Sequence, residues 1–187
     1  MPREPENASE ASVLVVDDET GVREALRIIL GPEFRVVVAE SGEQALEVVR
    51  GQHVDVVVLD LQLPGMNGWE TFERIGEIKP EAEIVIATGH GSYAEAVKAL
   101  HLHAFDFMTK PFDVNQVLQV VHRAATSAQT RRQGSARKAL HALAAELSAA
   151  INGLSRTASG KLTDVERVEL ERIGNLARTV LGFSGSS

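Results

Sequence analysis

Five short apolar bursts, each followed by a stretch whose apolar residues recur near every 3.6 positions, constrain this chain more than any other feature of its sequence. The bursts lie at residues 13–16, 34–38, 54–59, 83–87 and 104–108, and the helical stretches at 22–30, 42–49, 68–78, 93–100 and 114–125. A continuous run such as Val13-Leu14-Val15-Val16 suits a strand covered on both faces. Parallel strands need crossover connections, which helices supply, and both faces of the resulting sheet must be covered. The expected fold is therefore α/β, a doubly wound sheet of five parallel strands.

Past residue 133 the bursts stop. Residues 135–154 are rich in Ala and Leu, with Leu140, Leu143, Leu147, Ala150 and Leu154 on one helical stripe. A polar interval with two glycines, 152–160, leads to a second helical pattern with Thr163 and Glu166 at capping-box spacing and Val165, Val168, Leu176 and Val180 as its stripe. The α/β domain is thus expected to be followed by a C-terminal α-helical hairpin. Two helices bury little surface by themselves, so the hairpin is expected to pack on a second copy, giving a homodimer, or on a partner. The expected organisation is a disordered tail at 1–11, the α/β domain at 12–126, a linker or extended last helix at 127–136, and the hairpin at 137–182.

Charge follows the same division. Residues 1–125 hold 10 Lys and Arg against 21 Asp and Glu, whereas residues 126–187 hold 9 against 5. A mildly basic second part, interleaved with acids, is a weak footprint for nucleic acid, so DNA is not an expected partner. Arg131, Arg132, Arg137 and Lys138 form the one basic cluster, read here as a solvated linker, with nucleic-acid binding as the competing reading. No apolar run approaches the roughly 18 residues that span a bilayer, and the first eleven residues lack the apolar stretch of a secretory signal, so no membrane insertion is expected. The absence of cysteine removes disulfides and thiolate metal sites.

Ligands of doubly wound sheets bind beyond the carboxyl ends of the strands. Asp17 and Asp18 follow the first burst, Asp60 the third, Thr88 the fourth and Lys110 the fifth, so all fall on that edge. Carboxylates brought close repel one another unless a cation or a raised pKa relieves them. Mg²⁺ suits such a set, because it takes few protein carboxylates and completes its shell with water and phosphate oxygens. A carboxylate is also a competent nucleophile toward phosphorus, and Asp60, at the end of the central burst, is the candidate. Lys110 would pair with one phosphoryl oxygen and Thr88 would donate to another. Glu19 is either a third acid at the metal or a solvated residue. His90 and His101 lack the regular spacing of a transition-metal site.

Residues 12–125 resemble the receiver domain of bacterial two-component response regulators. The resemblance is carried by Val-Val-Asp-Asp-Glu (15–19), Leu-Asp-Leu-Gln-Leu-Pro-Gly-Met-Asn-Gly (59–68), Ala-Thr-Gly-His-Gly (87–91) and Phe-Asp-Phe-Met-Thr-Lys-Pro-Phe (105–112). It implies the flavodoxin-like receiver fold, with Asp60 as the phosphorylated aspartate. Asp17, Asp18, Asp60 and the backbone carbonyl of Gln62 would hold Mg²⁺, and Thr88 and Lys110 would contact the phosphate. Phe107 would be the aromatic that turns with the Thr88 hydroxyl on phosphorylation, against a plain reading as a core side chain. The resemblance also implies a cognate sensor histidine kinase, a cytoplasmic location, and no catalysis beyond the protein's own phosphorylation and dephosphorylation. His103 departs from the family, which has Gly there; the Lys110-Pro111 bond is expected cis. The hairpin faintly resembles the dimerisation and phosphotransfer hairpin of histidine kinases. His141 stands at the phosphoacceptor position, but Ala142, Ala145 and Glu146 depart from that pattern. Two outputs follow: conformational signalling through a helical, non-DNA-binding element, or a phosphorelay through His141 or a partner's histidine.

Overall fold

A computed structural model describes residues 11–89, 92–157, 168 and 172–175. Strands β1 (Ser12–Val16), β2 (Arg35–Ala39), β3 (Val56–Leu59), β4 (Glu83–Thr88) and β5 (Asp106–Thr109) form one sheet in the order β2-β1-β3-β4-β5. Every pairing is parallel, with Val16 beside both Ala39 and Leu59, and Thr88 beside Thr109. Between them run α1 (Thr20–Leu30), α2 (Gly42–Gly51), α3 (Gly68–Ile78) and α4 (Tyr93–His101), and α5 (Val114–Thr157) follows β5.

Alternation along the strands makes two cores. Val13, Val15, Val56, Val58, Val85, Ala87 and Met108 face α1 and α5, meeting Leu26, Leu30, Val117, Val121 and Ala124. Leu14, Val16, Val57, Leu59, Ile84 and Ile86 face the other way, onto Ala45, Leu46 and Val49 of α2, Phe72 and Ile75 of α3, and Ala99 of α4. Successive side chains of a strand point to opposite faces, so an unbroken apolar run is what a sheet with two covered faces requires.

Turn chemistry sets where the helices start. Ser41, Asn67 and Ser92 accept the backbone N–H groups of Gln44, Glu70 and Glu95, and Ser92 with Glu95 completes a capping box. Asp113 accepts from the Gln116 N–H at the start of α5. Each such cap contributes about 1 kcal/mol.

Ala11 is already part of the core, and its carbonyl accepts the Arg35 N–H, so packing begins at the last residue of the expected tail. Two compact units divide at Arg131 and Arg132. Residues 127–136, expected as a linker or an extended last helix, are helix, because α5 runs unbroken for 44 residues. The first arm of the expected hairpin is the end of this helix, and the polar interval at 152–160 is helical as far as Thr157. Of the second arm, residues 168 and 172–175 are helical. Thr163, Val165, Glu166, Leu176 and Val180 lie outside the described residues. No helix among the described residues is long and apolar enough to cross a membrane.

Candidate functional site

The carboxyl edge of the sheet carries the chemistry. Asp17 follows β1 and Asp60 follows β3, both buried; Thr88 ends β4, fully buried, and Lys110 follows β5. Lys110 Nζ lies 2.6 Å from Asp17 Oδ2, 2.7 Å from Asp60 Oδ2 and 3.3 Å from Glu19 Oε1. The Lys110 N–H donates to the Thr88 carbonyl at 2.9 Å, which ties the start of the β5–α5 connection to the end of β4. The Lys110-Pro111 peptide is cis, as the resemblance implies.

Buried Asp17 and half-buried Lys110 both shift upward, for different reasons. Burial raises the Asp17 carboxyl above its ordinary value, outweighing the lowering by Lys110 and by the Glu19 N–H, while the neighbouring Asp60 raises it further. Burial works to lower the Lys110 ammonium, but its bonds to Asp17 and Asp60 more than offset this and hold it above its ordinary value. The pocket therefore favours a cation between its carboxylates.

Local backbone contacts aim these groups. Asp17 Oδ1 accepts the Glu19 N–H at 2.9 Å and Asp60 Oδ1 accepts the Gln62 N–H at 3.0 Å. Arg23 clamps the first turn from outside, donating through Nη1 to the carbonyls of Asp17 at 2.7 Å and Asp18 at 2.8 Å. The turn after β3 is fixed by Glu43, which accepts the Met66 N–H at 3.0 Å beside Gly65, whose φ of 74° favours glycine. Neither Arg23 nor Glu43 stands out in the sequence. Both lie on helices rather than at strand ends, and only their distance in sequence from the turns they hold separates them from solvated charges.

Of the expected metal ligands, Asp17 and Asp60 converge. The third carboxylate within reach is Glu19, the three offering ligand atoms all within 4.8 Å of one another. Asp18 is exposed and is not in that group. Carboxylates of this number and spacing suit a hard divalent cation, and the Lys110 ammonium already stands among them as a cation. Phe107 is half-buried against the core beneath α2, α3 and α4. His103 takes φ 60°, a left-handed conformation that favours glycine. His101 is exposed and outside the carboxylate group, and His90 lies outside the described residues. Within the basic cluster, Arg131 is paired with Glu83 at 3.1 Å.

Comparison with known proteins identifies the family and the fold. The chain is 37% identical over 115 residues to the transcriptional regulatory protein GlrR of Escherichia coli (strain K12), a match of 61% of this chain and 26% of GlrR. It is 33% identical over 122 residues to the DNA-binding transcriptional regulator NtrC of the same strain, covering 65% of this chain and 26% of NtrC. Among solved structures, NtrX from Brucella abortus in complex with ADP superposes with a TM-score of 0.63 at 31% identity, over 67% of this chain and 29% of NtrX. The chain thus spans about a quarter of the length of the curated relatives it matches. Those relatives are named as transcriptional regulators, one of them as DNA-binding, so the expectation that DNA is not a partner gains no support from them. The response regulator receiver domain family matches residues 13–122, and with the five-stranded parallel fold and the acidic strand-end pocket in place, the chain belongs to that family.

Proposed function

We propose that Asp60 accepts a phosphoryl group from a sensor histidine kinase and that the receiver passes its changed state to the helical segment that follows. The observation that carries this reading is the Lys110 ammonium held within 2.7 Å of carboxylate oxygens from both Asp17 and Asp60. Transfer breaks the N–P bond of the donor phosphohistidine and forms an O–P bond at Asp60, the imidazole nitrogen keeping the electron pair. Lys110 would neutralise one phosphoryl oxygen, and the Thr88 hydroxyl, on the adjacent strand end, would donate to another.

Receiver domains bind Mg²⁺ in such an acidic pocket. Asp17 and Asp60 would hold it, Asp18 and the Gln62 carbonyl complete the ligand set that the family implies, and Glu19 is a further carboxylate within reach. Bound there, the ion would neutralise charge on the transferring group. Thr88 and Phe107 form the switch pair of this reading.

Output runs through α5. Its apolar stripe stays uncovered at Leu140, Leu143 and Leu147, which are 52%, 63% and 44% exposed, and a second copy in a cytoplasmic homodimer is the occupant this reading gives it. Incubation with acetyl phosphate and Mg²⁺, followed by intact-mass measurement, tests the central step. The wild-type chain should gain one phosphoryl group and Asp60→Ala none. Label persisting in Asp60→Ala would refute the assignment. Sedimentation of the full chain beside Leu143→Glu tests the dimer, which the substitution should dissociate.

A further inference from the structure

The amino edge of the sheet, opposite the acidic pocket, carries a second set of charged contacts that the phosphoacceptor chemistry does not use. Glu83, the first residue of β4, is only 2% exposed. Its Oε1 accepts from Ser127 Oγ at 2.6 Å and lies 3.1 Å from Arg131 Nε. Asp106, the first residue of β5, pairs with Arg123 at 2.5 Å. Arg123, Ser127 and Arg131 are four residues apart on α5 and so lie on one face of it. Ala128 is the last buried apolar side chain of α5 before the boundary of its compact unit at Arg131. The polar ladder therefore continues the hold on the helix one turn beyond the apolar packing.

The two strands that carry this ladder are the two that carry the phosphate-contacting candidates. β4 begins at Glu83 and ends at Thr88; β5 begins at Asp106, and Lys110 follows its last residue. β4 is buried along its whole length and β5, at the edge of the sheet, is mostly half-buried; each has a site residue at one end and a helix-holding acid at the other. We propose that Glu83 and Asp106, gripping Arg123, Ser127 and Arg131, form the anchor through which a change at Thr88 and Lys110 reaches α5. This inference rests on the phosphoacceptor reading for its input. A buried carboxylate left without its cation is strongly disfavoured, so a small displacement of β4 alters the grip on Arg131 rather than being absorbed by solvent. Coupling of this kind needs a contiguous element that both ends bias, and β4 with β5 supplies it.

Hydrogen exchange of the full chain, with and without acetyl phosphate and Mg²⁺, tests the anchor. Arg131→Ala is the main variant, because Arg131 is 54% exposed and its loss opens no core cavity; Ser127→Ala is the second. Without phosphodonor, amides 127–135 should exchange about tenfold faster in Arg131→Ala while β1 and β3 keep their protection, since a hydrogen bond to a charged group is worth that order. With phosphodonor, the wild-type chain should change its exchange over 132–147, and Arg131→Ala should take up the same phosphate without that change. A phosphorylated wild type whose 132–147 segment does not respond overturns the proposal, and so does an Arg131→Ala protein that responds fully. Failure of the wild type to take up phosphate counts against Asp60 instead, and the donor-free exchange difference then decides whether Glu83 anchors the helix.

Discussion

Lys110 Nζ stands 2.7 Å from Asp60 Oδ2 across 50 residues of chain, which makes one ammonium the shared counter-ion of two strand ends. Its removal leaves two buried carboxylates facing each other. Lys110→Met should cost about 3 kcal/mol at neutral pH, the usual scale for breaking a buried ion pair from one side. Urea unfolding without divalent ions measures it. The loss should shrink toward acid pH as the Asp17 carboxyl protonates.

Asp17 gives a prediction of the opposite sign. Burial holds its pKa above the ordinary 3.8, so its ionised form is less favoured in the folded chain than in the unfolded one. Ionisation then costs stability as pH rises from 3.8 through the folded value, and the cost persists above it. Asp17→Asn should accordingly raise the midpoint of unfolding at neutral pH in metal-free buffer, with the advantage fading as pH falls to the ordinary carboxylate range. Mg²⁺ added to the buffer should stabilise the wild type and not the variant. A variant less stable than wild type at neutral pH contradicts the sign.

Gly68 is required where the turn after Asp60 meets the chain again. Its N–H donates to the Leu61 carbonyl, and a Cβ would overlap the Leu61 Cα and the Asp60 carbonyl oxygen. Both are backbone and cannot swing aside. Gly68→Ala should destabilise the fold by about 2 kcal/mol, the scale of overpacking, and slow phosphate uptake by displacing the Asp60 turn. Thermal unfolding and the acetyl phosphate time course measure the two effects.

At His103 the gain runs the other way. With φ at 60°, a residue bearing a Cβ sits where glycine carries no steric penalty. His103→Gly should be neutral to stabilising, by up to about 1 kcal/mol, since the left-handed strain relieved exceeds the backbone entropy lost by no more than that. Chemical denaturation reads this directly, and a clear loss of stability would show that the His103 side chain makes a contact that outweighs its backbone strain.

The sheet was legible because burial concentrates apolar residues in short bursts, unbroken at 13–16 and containing an acid at 54–59, 83–87 and 104–108, and all five bursts became strands. The runs mark burial rather than pairing, which is why Val54 is buried yet precedes β3, and why β5 starts two residues after its run begins. Asp17, Asp60, Thr88 and Lys110 were readable together because the topology of a doubly wound sheet sends all strand ends to one edge. Glu19 was less so, since an acid beside two others in the chain carries no mark of which one turns inward. The full extent of α5 was hidden for another reason. Residues 130–139 are exposed and hold no large apolar residue, so no apolar period marks them before Leu140, and helix propensity in Gln, Arg and Ala carries the chain past Gly134 at a cost near 1 kcal/mol.

The sheet has a chemical edge and a mechanical edge, separated by the length of β4. On the proposed reading, the residues that would contact phosphate (Thr88, Lys110) and the acids that would hold α5 (Glu83, Asp106) sit at opposite ends of β4 and β5. On that reading, exchange at Arg123, Ser127 and Arg131 would change how firmly α5 is held while leaving the acidic pocket as it is, so the output could diversify without the phosphate chemistry having to be solved again.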